Sequence, residues 1–201
     1  MASVAALSTT LNNIQVDLYR YVLLPFIGLG TIGNLLNLVV FLQPYLRSNP
    51  CSIYLLAYTI ASICWIDFIG LTASLSVGFS LNFGTLSTAT CRIRTYILCV
   101  IINLLPDFLI LAALDRTLIT TRRLAVRQLS TRKIACYSIC IVTVFWIIFN
   151  IPTLFYTDIA RVVTGRTVCV PLPGNDFNNF IFIFFAFSNG LLPPIILILL
   201  G

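Results

Sequence analysis

Histidine is absent from this 201-residue chain, and acidic residues are few, six against twelve basic ones. Without histidine a zinc site of the usual mixed type has no nitrogen ligand. The seven cysteines form no CxxC pair, so a thiolate metal site is disfavoured as well. No metal or other cofactor is therefore expected. There is no His-Glu-x-x-His and no membrane aspartate pair of the Gly-x-Gly-Asp kind, and nothing positive points to an enzyme. Charge of either sign is scarce: charged residues make up 9% of the chain, where a soluble domain carries about 25%. That shortage excludes a water-soluble domain of this size. No basic surface on a soluble module is visible, so nucleic acid is not an expected partner. The first eighteen residues are polar or small and lack the basic start and short apolar run of a cleavable signal peptide. No Asn-x-Ser/Thr acceptor occurs, which is neutral evidence.

What the chain has in abundance is apolar length. Hydrophobic residues make up 59% and the mean hydropathy is +1.03, so the natural solvent is the lipid bilayer. A spanning helix needs about 20 mostly apolar residues. Five segments qualify: 19–42, 52–77, 92–119, 134–156 and 178–201. The expected fold is an all-α membrane protein, a helical bundle. A short N-terminus (1–18) precedes one transmembrane domain (19–201), with no internal repeat. The connections 43–51, 78–91, 120–133 and 157–177 contain Pro, Gly or charge. Cys64, Cys99, Cys136 and Cys140 lie in apolar stretches and read as small buried hydrophobes.

The charges give an orientation. Arg122, Arg123, Arg127, Arg132 and Lys133 crowd the connection between the third and fourth segments, with no acid among them. Short basic loops stay in the cytoplasm. Arg47 then also lies inside, and the N-terminus, residues 78–91 and residues 157–177 lie outside. Arg92, Arg94, Arg161 and Arg166 fall on the outer side, so the bias is not absolute. A multi-pass protein of the plasma membrane is the expectation.

Polar groups inside membrane helices are costly and each needs a reason. Gly33-Asn34 stands midway along the first segment, where a buried Asn must find interhelical partners; alone, it is a packing residue. Asp115-Arg116-Thr117 closes the third segment; alone, it is a surface pair of little worth. Cys91 lies 25 positions before Arg116, and Cys169 lies in the connection before the fifth segment. Trp146 stands in the fourth segment with Pro152 one to two turns on, and Pro193-Pro194 in the fifth; prolines are common in such helices.

Together, in this order, spacing and depth, these residues resemble the first five helices of a rhodopsin-type (family A) G-protein-coupled receptor. The resemblance covers the chain from about Tyr19 to Gly201. It implies the first five helices of a seven-helix fold, with Asn34 tethering helix one to helices two and seven. It implies a Cys91–Cys169 disulfide pinning the second outer loop over a ligand pocket, permitted on the oxidising side. It also implies an activation switch at Asp115, Arg116 and Thr117, Thr117 replacing the family's aromatic. The expected partners are a heterotrimeric G protein, an extracellular ligand and the bilayer, with room for a receptor dimer. The Arg122–Lys133 segment would contact the G protein and anionic headgroups.

The departures are specific. The family's sodium-binding aspartate, 28 positions after the helix-one Asn, falls on Ser62, so that site is expected to be weakened or absent. Asp67, five positions on, would lie about 140° round a regular helix, off the face of Ser62. It is left to line the ligand cavity or to pair with another helix. Pro106-Asp107 interrupts helix three, where Pro is expected to kink it. The acid that holds amine ligands in this family would fall on Leu98, which disfavours an amine and favours a peptide-type or orphan receptor. The sixth-helix Trp-Pro and the seventh-helix Asn-Pro-x-x-Tyr do not occur in the 201 residues. A truncated, non-signalling receptor partner is therefore one alternative. A small transporter or channel is another, with Asp67, Pro106 and Asp107 near its midplane.

Overall fold

In lipid a chain must satisfy its backbone hydrogen bonds internally, and a helix does so within one segment. The computed structural model describes residues 2–81, 87–121, 127–128, 130–161 and 167–171. Among them four helices are long and apolar enough to cross a membrane: helix one (Thr9–Phe41), helix two (Pro50–Phe79), helix three (Thr88–Thr120) and helix four (Arg132–Tyr156). These match the first four expected segments within a few residues at most ends. The expected fifth segment, with Pro193 and Pro194, lies outside the described residues, as do Arg122 and Arg123.

Helix one begins much earlier than expected. Ala2–Asp17 is already helical and runs through a π-helical stretch, Leu18–Leu23, into Leu24–Phe41. Residues 2–24 contain neither Gly nor Pro, the two strongest helix breakers. The π-helical stretch lies just before Pro25, whose ring crowds the carbonyl four residues back in a regular helix. Helix two opens on Asn49, whose side chain accepts from the Cys51 amide at 3.2 Å. It too contains a π-helical stretch, Cys64–Gly70, and it ends at Ser80 in the left-handed conformation with φ of 58°.

Helix three is capped by Ser87, which accepts from the Thr90 amide at 3.2 Å. It continues through Pro106 as a single helix; the expected interruption of the helix does not occur, because neighbouring turns keep the backbone helical around the missing amide. Helix four starts on Thr131, which accepts from the Ile134 amide at 3.3 Å. It loosens at residues 150–152, where Pro152 lacks an N–H, and resumes over Thr153–Tyr156. The connection that follows is more ordered than expected. Thr157–Arg161 (β1) pairs antiparallel with Thr167–Pro171 (β2), Ile159 opposite Cys169.

The core sits where helices two, three and four meet. Cys51, Tyr54, Ala112 and Ala135 form one buried apolar cluster, and Val100, Leu104, Phe108 and Trp146 another. Most other large apolar side chains face outward: Phe26, Leu29, Val39, Ile141 and Ile148 are all largely exposed. In water such a surface is untenable for a monomer; against acyl chains it costs nothing. The molecule is an all-α membrane helical bundle with one small hairpin. The same inversion corrects the reading of the cysteines. Cys64, Cys136 and Cys140 are exposed on this apolar exterior, and Cys51 is the buried free thiol among the described residues. An apolar sequence neighbourhood here marks lipid as often as protein interior.

Candidate functional site

The polar residues of the spans collect in seams between helices, and each seam tests one sequence expectation. Between helices one and two, Asn34 Nδ2 donates to Ser62 Oγ at 3.2 Å and to the Gly30 carbonyl at 3.0 Å. One turn up, Thr31 Oγ1 donates to Asp67 Oδ1 at 2.6 Å. A Cβ on Gly30 would sit 3.1 Å from the Ile66 side chain, so glycine permits the close approach that these bonds need.

Asp67 therefore does not lie off the Ser62 face. The expected rotation of about 140° assumes 3.6 residues per turn. Cys64–Gly70 is π-helical, and there the hydrogen bond spans i to i+5. The wider turn brings residues five apart back toward a common face. Ser62 and Asp67 both turn to helix one, opposite Asn34 and Thr31, which are themselves three apart. Of the two roles left open for Asp67, pairing with another helix is the one seen.

Between helices three and four, Trp146 Nε1 donates to Asp107 Oδ2 at 2.6 Å. Trp146 is buried and packs edge-on against Phe145 and Phe149. It is a buried hydrogen-bond donor, not a lipid-facing aromatic. Tyr96 Oη donates to the Ile147 carbonyl at 2.9 Å across the same seam. Leu98, at the position of the amine-binding acid, is half-buried and offers no polar group.

Cys91 and Cys169 are joined as a disulfide, with Cα atoms 5.7 Å apart. The bond ties the start of helix three to β2. Arg92 adds a second tie, its Nε donating to the Thr157 carbonyl of β1 at 3.0 Å. At this same end, Arg20 of helix one donates to the Gly78 carbonyl, through Nη2 at 2.6 Å and Nε at 3.2 Å, and lies over the Phe79 ring. A guanidinium at a helix C-terminus satisfies a carbonyl the helix leaves unpaired. Arg94 of helix three reaches helix two: Nε donates to Thr72 Oγ1 at 3.1 Å and Nη2 to the Ile69 carbonyl at 3.5 Å. The sequence marks Arg92 and Arg94 only as exceptions to a charge bias and does not single out Arg20. A cation at the edge of an apolar segment, which must find a partner or reach water, was the available signal.

At the opposite end, Asp115 and Arg116 turn to different partners. Asp115 is buried; its Oδ1 accepts from Ser130 at 2.7 Å and its Oδ2 has no hydrogen-bond partner among the described residues. Arg116 is exposed, and its Nε donates to Cys51 Sγ at the start of helix two, 3.1 Å away. Thr117 donates to the Leu114 carbonyl at 2.7 Å. Arg127, Arg132 and Lys133 are exposed beside them. The acid–arginine pairing that the resemblance implies is not seen; Asp115 and Arg116 make two separate contacts.

No protein-family model matches the chain, and no curated protein matches it significantly.

Proposed function

We propose that the chain transduces an extracellular signal to a heterotrimeric G protein, as the first five helices of a rhodopsin-type receptor. The observation that carries the reading is the layout of helix three. One end is joined by Cys91 to the hairpin that follows helix four, and the other end, 25 positions on, presents Asp115 and Arg116. The Asn34–Ser62 contact supports it, because it joins helices one and two at the depth the resemblance requires.

In this reading the ligand, peptide-type or orphan in class and not an amine, binds under the tethered hairpin. It shifts the bundle only to the extent that it favours the active state. The mobile element is the cytoplasmic end of helix three. Asp115 is held by one hydroxyl and Arg116 by one thiol, and both contacts are weak enough for a G protein to displace. The exposed Arg127, Arg132 and Lys133 face anionic headgroups and the G protein. The protein resides in the plasma membrane with its N-terminus outside.

The reading requires the disulfide end outside and the Arg116 end in the cytosol. An epitope inserted after Gln128, probed by antibody in intact and in permeabilised cells, tests this. Staining only after permeabilisation is expected. Staining of intact cells would invert the topology and remove the G-protein role of Arg116.

A further inference from the structure

Depth and exposure sort the seven cysteines of the chain. Cys91 and Cys169 are joined to each other. Cys51 is buried and Cys99 is half-buried. The thiols of Cys64, Cys136 and Cys140 face outward. A helix rises about 1.5 Å per residue, and the hydrocarbon core is about 30 Å thick. Cys64 therefore stands roughly 20 Å along helix two from Pro50, deep among acyl chains. Cys140 stands roughly 12 Å along helix four from Arg132, and Cys136 roughly 6 Å. Cys136 is thus the outward-facing thiol at the boundary between headgroups and acyl chains.

A second feature lies at the same place. Arg132, Lys133, Cys136 and Tyr137 line one open groove of about 480 Å³, and all four are exposed. Two cations and a free thiol share this concavity, with no acid in its lining. On the deep side, Cys140, Val144 and Ile147 continue the face of Cys136 at helical spacing, and all are exposed. The surface offers cations at headgroup depth, a nucleophile just beneath them, and an apolar strip leading into the bilayer. That order matches a molecule with phosphates at one end, a thioester in the middle and a long alkyl chain at the other.

We propose that Cys136 is a site of reversible S-acylation, with long-chain acyl-coenzyme A as the class of donor. A cysteine next to the membrane boundary is where such acylation takes place. The deprotonated Cys136 sulfur, the nucleophilic form of the side chain, attacks the donor's thioester carbonyl. A new thioester forms on Cys136, the old carbon–sulfur bond breaks, and coenzyme A leaves as its thiol with the proton that Cys136 gave up. Arg132 and Lys133 lie beside the donor's phosphates, and the transferred chain runs along Cys140, Val144 and Ile147. One acyl chain and a basic patch together make a stable membrane anchor. The thioester pins the exposed Arg127, Arg132 and Lys133 to the headgroups, and its hydrolysis frees them. The site rests on the receptor reading only in placing this end of the bundle in the cytosol, where acyl-coenzyme A is available.

The full chain, expressed in cells supplied with an alkynyl palmitate analogue, tests it. After purification the wild type is expected to carry the label, and neutral hydroxylamine, which cleaves thioesters, is expected to remove it. Mass spectrometry of the wild type is expected to place the acyl group on Cys136, a readout that needs no variant to fold. Cys136→Ser is expected to lose the label, Arg132→Gln/Lys133→Gln to carry less of it, and Cys64→Ser and Cys140→Ser to keep it. Wild type without label, label that resists hydroxylamine, or an acyl group found only on another cysteine overturns the proposal. So does label undiminished in Cys136→Ser or in Arg132→Gln/Lys133→Gln. The assay contains no G protein. Acylation at Cys136 without any nucleotide exchange keeps this site and sinks the receptor reading, and exchange by an unacylated wild type does the opposite.

Discussion

The two ends of the bundle are held in different ways. At the disulfide end, a covalent bond joins helix three to the hairpin. Three guanidinium groups, of Arg20, Arg92 and Arg94, reach from one segment to a backbone carbonyl of another. Backbone carbonyls cannot move without the helix or strand that bears them, so this end is fixed. At the Arg116 end two contacts join side chain to side chain, Ser130 to Asp115 and Arg116 to Cys51, and Cys51 Sγ makes one long contact, 3.9 Å, to the Ala112 carbonyl. One carboxylate oxygen there is buried without a hydrogen-bond partner among the described residues. A bundle built this way can hold a binding site steady at one end and change partners at the other.

The largest expected effect breaks the fixed end. Cys91→Ser removes a cross-link closing 78 residues and is expected to cost about 2–4 kcal/mol of stability. Thermal unfolding of the detergent-solubilised protein reads it; a melting temperature equal to that of the wild type would show that the Arg92–Thr157 contact alone holds the hairpin. A smaller effect is expected at the other end. Ser130→Ala leaves the Asp115 carboxyl without its hydroxyl donor, costing about 1–3 kcal/mol in the same assay. If Ser130→Ala proved more damaging than Cys91→Ser, the assignment of fixed and changeable ends would have to be exchanged.

Much of this arrangement was legible in the residues, and the failures have physical causes. The spans were readable because about 20 apolar residues have no other stable fate. The Cys91–Cys169 bond and the meeting of helices one and two at Asn34 followed from the receptor resemblance, which carries them by the order and spacing of residues along the chain. Asp67 was misplaced for the same reason in reverse: counting assumed a regular helix across Cys64–Gly70, and nothing in that stretch announces a π-helical turn. The early helix from Ala2 was hidden by polar residues that favour a loop only weakly, once no Gly or Pro interrupts them. The hairpin did leave a signal. Thr167-Val168-Cys169-Val170 is rich in β-branched residues, but it was read as connection because the neighbouring segments are spans. The partners of Arg94 and Trp146 were not legible, since each depends on which face of one helix meets which face of another.

The central claim is that Arg116 couples this bundle to a G protein. Agonist-independent nucleotide exchange on a panel of purified heterotrimers, driven by membranes carrying the full-length coding sequence, tests it most directly. The account predicts accelerated exchange on at least one heterotrimer, and its fall to the level of control membranes in Arg116→Ala at equal surface expression. Exchange that persists undiminished in Arg116→Ala, or no acceleration on any heterotrimer, would contradict it.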